Sequence, residues 1–414
     1  MTSNPSSVVW SRAAANDLAR GLLTPLTWSI LSRSAERAVR SHYNAWGVAL
    51  PAGASIWRRM EGRAYLNTSA LTAADQAVAS GEAQASSGWR LLNRGPDRRQ
   101  NAALRQQIEQ APALFSATAQ WWQRVQATQW RQATLLQVME EIEPRAEAVL
   151  LARDYLTTGL GAGRRQITRW VAEWQPSSSS AIFDELFAGL DGREGWAQYR
   201  YDLQQLTEAA RQEAALGVFL AAGDWELPLP DGAFRPLFDI FADTYARWAD
   251  QPLETASPRW AEAPQTLLAR LALRLAEAAE PVLSSPQAAR QRRAAAGARI
   301  AQGIDARRRR QFEPVWNQLQ EIVDLMPASR EALVTVMAAA RHWALAAAQE
   351  AVGDGRLAAV DDVFLLELEE LKQLMTGEWS SPEQVRPVVE QRRAEQAAWA
   401  GVEPAEVVEQ DLGN

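Results

Sequence analysis

The feature that most constrains this chain is a helical period sustained over long distances. From Arg98 to Leu156 it reads RRQNAALRQQIEQAPALFSATAQWWQRVQATQWRQATLLQVMEEIEPRAEAVLLARDYL, with apolar residues at three- and four-residue spacing. Ala, Gln, Arg, Leu and Glu fill the stretch, and all are strong helix formers. Side chains on a strand alternate with period two, so this pattern cannot present one apolar face from a sheet. Pro112 and Pro144 are expected to begin or kink turns within it. The same period returns in REGWAQYRYDLQQLTEAARQEAALGVFLAAG, through most of residues 262 to 350, and in DDVFLLELEELKQLMTGE, which opens on Asp caps. QPSSSSAIFDELFAGL reads as a linker and a Ser-capped helix, DWELPLPDGAF as a loop, and VGDGRL as a helix break near Gly353. Only SVVWSR and GRAYLNTSAL are β-compatible, and they could pair as a small ribbon near the N-terminus. The expectation is an all-α, multi-helix protein with at most that ribbon. It is divided into an N-terminal lobe over 1–175, a C-terminal lobe over 181–402 and a frayed acidic tail over 403–414.

Composition removes whole classes of chemistry. The chain has 414 residues and a net charge of -7, with no cysteine, two histidines and a single lysine, Lys372. Disulfides, thiolate nucleophiles and cysteine zinc sites are therefore excluded, and a histidine metal site has little to draw on. Mild acidity argues against nucleic acid as a partner. No apolar run approaches the roughly 20 residues of a membrane helix, and no signal peptide is visible, so no membrane partner and a cytoplasmic location are expected. Glycine-rich phosphate loops of the form GxxxxGK[ST] and GxGxxG are missing, as are HExxH and EF-hand patterns. Glu140 and Glu143 share a helix face but read as solvated. His42 and His342 each lie beside aromatics and read as packed. Arg292, Arg293, Arg299 and Arg307 through Arg310 could form an anion-binding face; acidic neighbours favour a solvated one. The eighteen tryptophans include Trp121, Trp122 and Trp130 on one stretch, and Trp170 and Trp174 four apart. Such spacing means helix packing, or more sharply an aromatic-lined pocket for a large apolar ligand. These residues assign no catalytic group, no metal and no cofactor.

Four short islands carry more specific information. VWSRAAANDLARGLLTPLTWSIL resembles a signature of the phosphoenolpyruvate synthase-like, PEP-utilising phosphotransferases, especially rifampicin phosphotransferases. There it reads approximately W-x-R-A-N-x-G-E-x-x-P-G-P-x-T-P-L-T-W-S. Trp10, Arg12, Thr24, Pro25, Leu26, Thr27, Trp28 and Ser29 fall in register with it. Gly62 to Asn67, GRAYLN, is similar to that family's G-R-x-Y-x-N. YARWADQPLETASPRW, from Tyr245 to Trp260, has the length of its Y-G-x-R-G-x-G-E-x-[DE]-[IL]-x-x-P-R-W. DDVFLLELEEL, from Asp361 to Leu371, is similar to its D-V-F-F-L-x-x-x-E-L. The islands run in the family's order, while residues 90 to 240 contribute helical character alone.

The resemblance implies a three-part machine. An ATP-grasp part makes a phosphohistidine on a swivelling domain, which delivers the phosphoryl group to a substrate held by a helical central region. The chain reads as that central region alone, acting with separate ATP-grasp and phosphohistidine-domain chains. It would not be catalytic by itself; the assembled enzyme would be a phosphotransferase of the pyruvate, water dikinase kind. Motif position makes Arg12, Asp17, Thr24, Trp28, Arg63, Asn67, Trp248 and Arg259 the candidate substrate-binding residues. There are departures. Ala14 stands for the family's Asn, Asp17 for its Glu, Arg20 and Leu22 for flanking prolines, Trp248 for an Arg and Pro252 for a Glu. Val334 in REALV stands for a Lys, while Pro258, Arg259, Trp260 and Phe364 are kept. Phosphoryl transfer needs cationic and polar groups aimed at developing charge. Trading Arg for Trp removes a charge and adds apolar area, so the alternative is a non-catalytic binding module for an apolar small molecule or a protein partner.

Overall fold

The structure, a computed structural model, describes residues 7–80, 96–175, 180–223, 225, 228–277 and 281–411. In chain order the elements begin with β1 (Ser7–Ser11), α1 (Arg12–Ala15), α2 (Pro25–Ala45), β2 (Trp57–Met60), β3 (Arg63–Asn67) and α3 (Thr68–Ser80). Then come α4 (Pro96–Gln126), α5 (Gln132–Trp174), α6 (Ser180–Leu186), α7 (Ala197–Gln212), α8 (Ala214–Ala222) and α9 (Phe234–Thr244). The last are α10 (Pro264–Ala276), α11 (Pro286–Gln302), α12 (Ala306–Gly353), α13 (Leu368–Thr376), α14 (Pro382–Ala400) and β4 (Val407–Asp411). The fold is mainly α, as the period requires. The linker expected at 176–179 lies outside the described residues, as does part of the loop after Gly223.

The chain forms two compact units, and neither is continuous in sequence. The first takes Met1–Asp154, Gln251–Ser257 and Ala332–Asn414; the second takes Tyr155–Asp250 and Pro258–Glu331. This differs from a sequential split near residue 176 for a visible reason. β1 pairs antiparallel with β4 along its whole length, from Ser7 opposite Asp411 to Ser11 opposite Val407. The two ends of the chain therefore close one unit. The same pairing corrects the expectation of a frayed tail over 403–414, because residues 407–411 are a strand. The predicted ribbon is present, with Trp10 opposite Asn67 and Ser11 opposite Leu66, but it sits inside a four-stranded sheet of order β2-β3-β1-β4.

Local chemistry explains the sheet and its neighbours. β2 and β3 are joined by Glu61 and Gly62, both at positive φ, with Met60 opposite Arg63. Two residues at positive φ make the primed turn whose twist suits a hairpin. Gly62 has φ +72, and a Cβ there would also strike Leu22 Cδ2 at 2.6 Å. Asn67 then starts α3, its Oδ1 accepting from Ala70 N at 2.9 Å. Under the sheet, Ala15, Ala19, Leu23 and Ala64 form a small core with Trp28, Trp57 and Leu66 against it. The part of α12 in this unit is buried on all sides, from Ala332 through Ala348 with few exceptions. A helix apolar all round must lie inside a protein. Trp343 there is fully buried and donates Nε1–H to the Leu135 carbonyl at 2.8 Å.

Pro112 and Pro144 end neither α4 nor α5, and Pro314 and Pro327 likewise lie within α12. The break in the predicted stretch falls at residues 127–131 instead. A proline inside a long helix removes one backbone bond, and tertiary context routinely overrides such a local cost. The second unit carries α6 to α11 with the adjoining parts of α5 and α12. Among the described residues no helix is long and apolar enough to cross a membrane, and no group of three or more His, Asp or Glu could hold a metal ion.

Candidate functional site

The Thr-Pro-Leu-Thr turn is the centre of the best-defined polar site in the first unit. Thr24 is the N-cap of α2, with extended backbone, and its hydroxyl accepts from Thr27 N at 3.4 Å. Pro25 takes the first helical position, where a missing N–H costs nothing. The turn is then gripped from far along the chain. Glu254 Oε2 accepts from Thr24 N at 2.9 Å. Its Oε1 accepts from the Thr24 hydroxyl at 2.6 Å, the Thr27 hydroxyl at 2.7 Å and Ala256 N at 2.8 Å. Thr27 Oγ1 also accepts from Thr255 N at 2.8 Å and lies 2.8 Å from the Thr255 hydroxyl. Glu254, Thr255 and Thr27 are all buried. Such a carboxylate is stable without water only because donors surround it.

This clamp draws the sequence islands together. Arg341 of α12, itself buried, donates to the carbonyls of Thr255 at 2.9 Å and Ala256 at 3.1 Å, and its guanidinium lies 5.2 Å from the centre of the Phe364 ring. Ser29, two residues beyond Thr27, accepts from Leu368 N at 2.9 Å. Leu23 N donates to the Gly62 carbonyl at 2.8 Å, and Arg59 Nη2 donates to the Leu23 carbonyl at 2.6 Å. Burial holds the Arg59 guanidinium below its ordinary pKa, with the Glu254 carboxylate pulling the other way. Parts of all four islands thus meet around α2. Glu254 is the residue that motif reading missed. Its signal was present, since it occupies the acidic position of the segment that ends in Pro258-Arg259-Trp260.

The six candidate residues of the first unit are engaged with separate partners. Thr24 and Trp28 belong to the clamp and the small core beneath it. Arg63 donates to the carbonyls of Trp399 at 3.2 Å and Val402 at 2.9 Å, tying α14 to the hairpin. Asn67 bridges Ser55 and Ala70. Arg12 pairs with Glu406 beside the β1–β4 ladder. Asp17 pairs with Arg153 of α5, whose side chain is buried. Asp154, next along that helix, is half-buried, and desolvation of its carboxyl pushes it up to about 7 against the pull of the Arg153 cation. No sequence pattern marks it. Trp248 and Arg259 lie in the second unit, both buried.

Both histidines are packed. His342 lies between Trp122 and Trp130, with ring centroids 6.0 and 5.6 Å away. His42 sits 4.1 Å from the Trp46 ring, and burial lowers its pKa to about 4. A histidine lowered in the folded state contributes stability above its ordinary value near 6.5 that is lost as pH falls through about 4. Asp154 runs the opposite way, since its raised pKa favours the folded state at low pH. The clean measurement is therefore a difference. His42→Phe keeps the ring and cannot titrate. Its stability relative to the unsubstituted chain should rise by roughly 2 kcal/mol between about pH 7.5 and about pH 5, read from urea unfolding. A pH-independent difference would contradict the buried neutral His42.

In the second unit Trp248 is part of an aromatic core. Trp248 is 3% exposed and stacks on Tyr199 at 4.5 Å, with Trp196 and Tyr245 edge-on at 5.5 and 5.4 Å. Tyr199 also stacks on Trp260 at 5.8 Å, and Phe241 closes on Trp260 at 5.6 Å. Trp248 Nε1–H donates to Glu331 Oε2 at 2.6 Å, while Arg247 pairs with Glu331 Oε1. The aromatic cluster is filled by its own rings. Its Trp260 N–H donates to the Trp248 carbonyl at 2.9 Å. Residues 152–335 match the family model of the rifampicin phosphotransferase fourth domain. This stretch is rifampicin phosphotransferase-like, and it takes in the entire second unit together with the Glu254 loop. Trp248 and Arg259 fall inside it; the other six candidates precede it. A search of the curated proteins found no match.

Proposed function

We propose that the chain is the substrate-holding helical region of a rifampicin phosphotransferase-like system, and that separate ATP-grasp and phosphohistidine-domain chains supply the phosphoryl group. The observation that carries this reading is the fourth-domain match over residues 152–335. Two further features support it. The four islands meet around the Thr24–Glu254 clamp, which fixes α2 without committing a nucleophile. His42 is buried against the Trp46 ring, an unsuitable setting for a group that must be phosphorylated and then presented to a partner, and His342 packs beside Trp122 and Trp130.

The second reading, a binding module without turnover, is favoured by Trp248. Where the family pattern has a cation, this chain has a buried indole, and Arg247 beside it is already engaged by Glu331. An apolar small molecule can be tested directly. Titration of the full chain with an ansamycin, followed by tryptophan fluorescence, should give a saturable change, because tryptophans are spread through both units. A flat response across ansamycins and other large apolar ligands would count against the binding module for an apolar small molecule.

A further inference from the structure

The arginine-rich segment SPQAARQRRAAAGARIAQGIDARRRR was expected to be a solvated face, and the structure divides it. Arg293 is 4% exposed on the inner side of α11, donating Nε–H to Gln320 Oε1 at 3.1 Å and Nη1–H to the Ala188 carbonyl at 2.7 Å. Arg299 pairs with Glu185. Arg307 to Arg310, four arginines in a row, instead form the first turn of α12.

That is the unfavourable end of a helix for cations. The macrodipole puts partial positive charge at the N-terminus, where Asp and Glu are preferred, and the first turn of α12 has neither. Arg307 and Arg310 are three residues apart, so like charges share a face and repel. Asp305 offsets part of this. Its Oδ1 accepts from Arg307 N at 2.8 Å and from Arg308 N at 2.9 Å, its Oδ2 lies 3.6 Å from Arg308 Nε, and its charge also acts on Arg307. Arg309 donates Nε–H to the Ala301 carbonyl at 2.8 Å. The guanidinium groups of Arg307 and Arg310 make no hydrogen bond or ion pair among the described residues, and both side chains are exposed.

The last turns of α5 lie beside this one. The Arg308 guanidinium is 5.7 Å from the centre of the Trp174 ring, and Trp174 stacks on Trp170 with centroids 5.1 Å apart and planes 14° from parallel. Both indoles are only half-buried. Arg165 and Arg169 are exposed on the same stretch of α5, so six arginines stand against Glu173, Asp305 and Glu313. The result is a basic, aromatic surface on a chain whose net charge is -7. Tryptophan and arginine are the residues that most often dominate the energetics of protein interfaces. Carboxylates would relieve the repulsion at the start of α12, and apolar side chains would cover the indoles. The negative charge of the whole chain disfavours nucleic acid or an anionic bilayer, whose charge extends far beyond one patch.

We infer that the first turn of α12 and the Trp170–Trp174 stack form a docking surface for an acidic protein segment, its carboxylates on Arg307 and Arg310 and its apolar side chains on the two indoles. The surface is independent of the phosphotransferase reading, and either can fail without the other.

The probe is a fluorescein-labelled peptide alternating glutamate and leucine, titrated with the full chain and followed by fluorescence anisotropy. A glutamine and leucine peptide is its neutral counterpart, a glutamate and glycine peptide its non-apolar one, and an oligothymidine of equal charge the nucleic-acid one. The acidic apolar peptide should bind saturably, and each counterpart at least roughly tenfold more weakly. The double variant Arg307→Glu, Arg310→Glu should lose at least roughly tenfold in affinity for it. Both positions are exposed and acids suit a first turn, so the melting temperature of this variant should stay level or rise, which separates lost docking from lost folding. Absence of saturable binding, equal binding of any counterpart peptide, tighter binding of oligothymidine, or full binding to the double variant would overturn the assignment.

Discussion

Replacing Glu254 by alanine is expected to destabilise the protein by about 3–5 kcal/mol, the range for removing one partner from a buried charged network. The side chain accepts from two backbone N–H groups and two hydroxyls, and all four donors lie in buried or half-buried positions. Alanine removes the shared acceptor of the Thr24 and Ala256 N–H groups, while the Thr24 and Thr27 hydroxyls keep only each other and the Thr255 hydroxyl. Glu254→Gln keeps one carbonyl oxygen and places an amide donor among donors, so an intermediate loss of about 1–3 kcal/mol is expected. Thr27→Val should follow the same direction at about 1–2 kcal/mol, since it removes one hydroxyl of near-equal volume. Urea unfolding of the three variants would read this order. If Glu254→Ala unfolds at the same urea concentration as the unsubstituted chain, the clamp is not what holds α2.

The second large effect runs against intuition about the family. Trp248→Arg places there the residue of the pattern that the segment resembles, yet it should destabilise the second unit by about 3 kcal/mol or more. The change removes the stack on Tyr199 and the hydrogen bond to Glu331. It also introduces a cation near one that is already present, because the Arg330 guanidinium lies 4.4 Å from the centre of the Trp196 ring. Trp248→Phe keeps the aromatic contacts and loses chiefly the Glu331 bond, for an expected cost of about 1–2 kcal/mol. Near-ultraviolet circular dichroism with equilibrium unfolding would separate loss of packing from simple loss of the bond. A stable Trp248→Arg variant with native-like packing would mean that the aromatic cluster can admit the family's cation.

Much of the fold was legible because it rests on local rules. The helical period, the Thr24 cap with Pro25 behind it and the pairing of SVVWSR with GRAYLN are all decided within a few residues. The misreadings share a cause. β4 looked like a frayed tail because its partner, β1, lies about four hundred residues away, and strand pairing at that distance leaves no local trace. Pro112 and Pro144 looked like breaks because propensity is local, and helix packing overrode it. Arg293 looked solvated because its neighbours in sequence are charged, whereas the Ala188 carbonyl that holds it comes from another element.

The candidate site shows the same division. Motif position picked out Thr24 and Trp28 as substrate-binding residues, and it passed over Glu254, the residue that binds the turn. Asp17 and Arg12 are engaged in ion pairs with Arg153 and Glu406. The fourth-domain match falls largely on residues that offered only helical character to inspection. Two of the eight candidates lie within it.

The most direct test of the account is reconstitution. ATP-grasp and phosphohistidine-domain chains from the same source would be mixed with ATP and an ansamycin, with and without this protein, and phosphorylated product measured. The account predicts product only when this chain is present, and little when Glu254→Ala replaces it. Product formed equally well without the chain would contradict its role as the substrate-holding region.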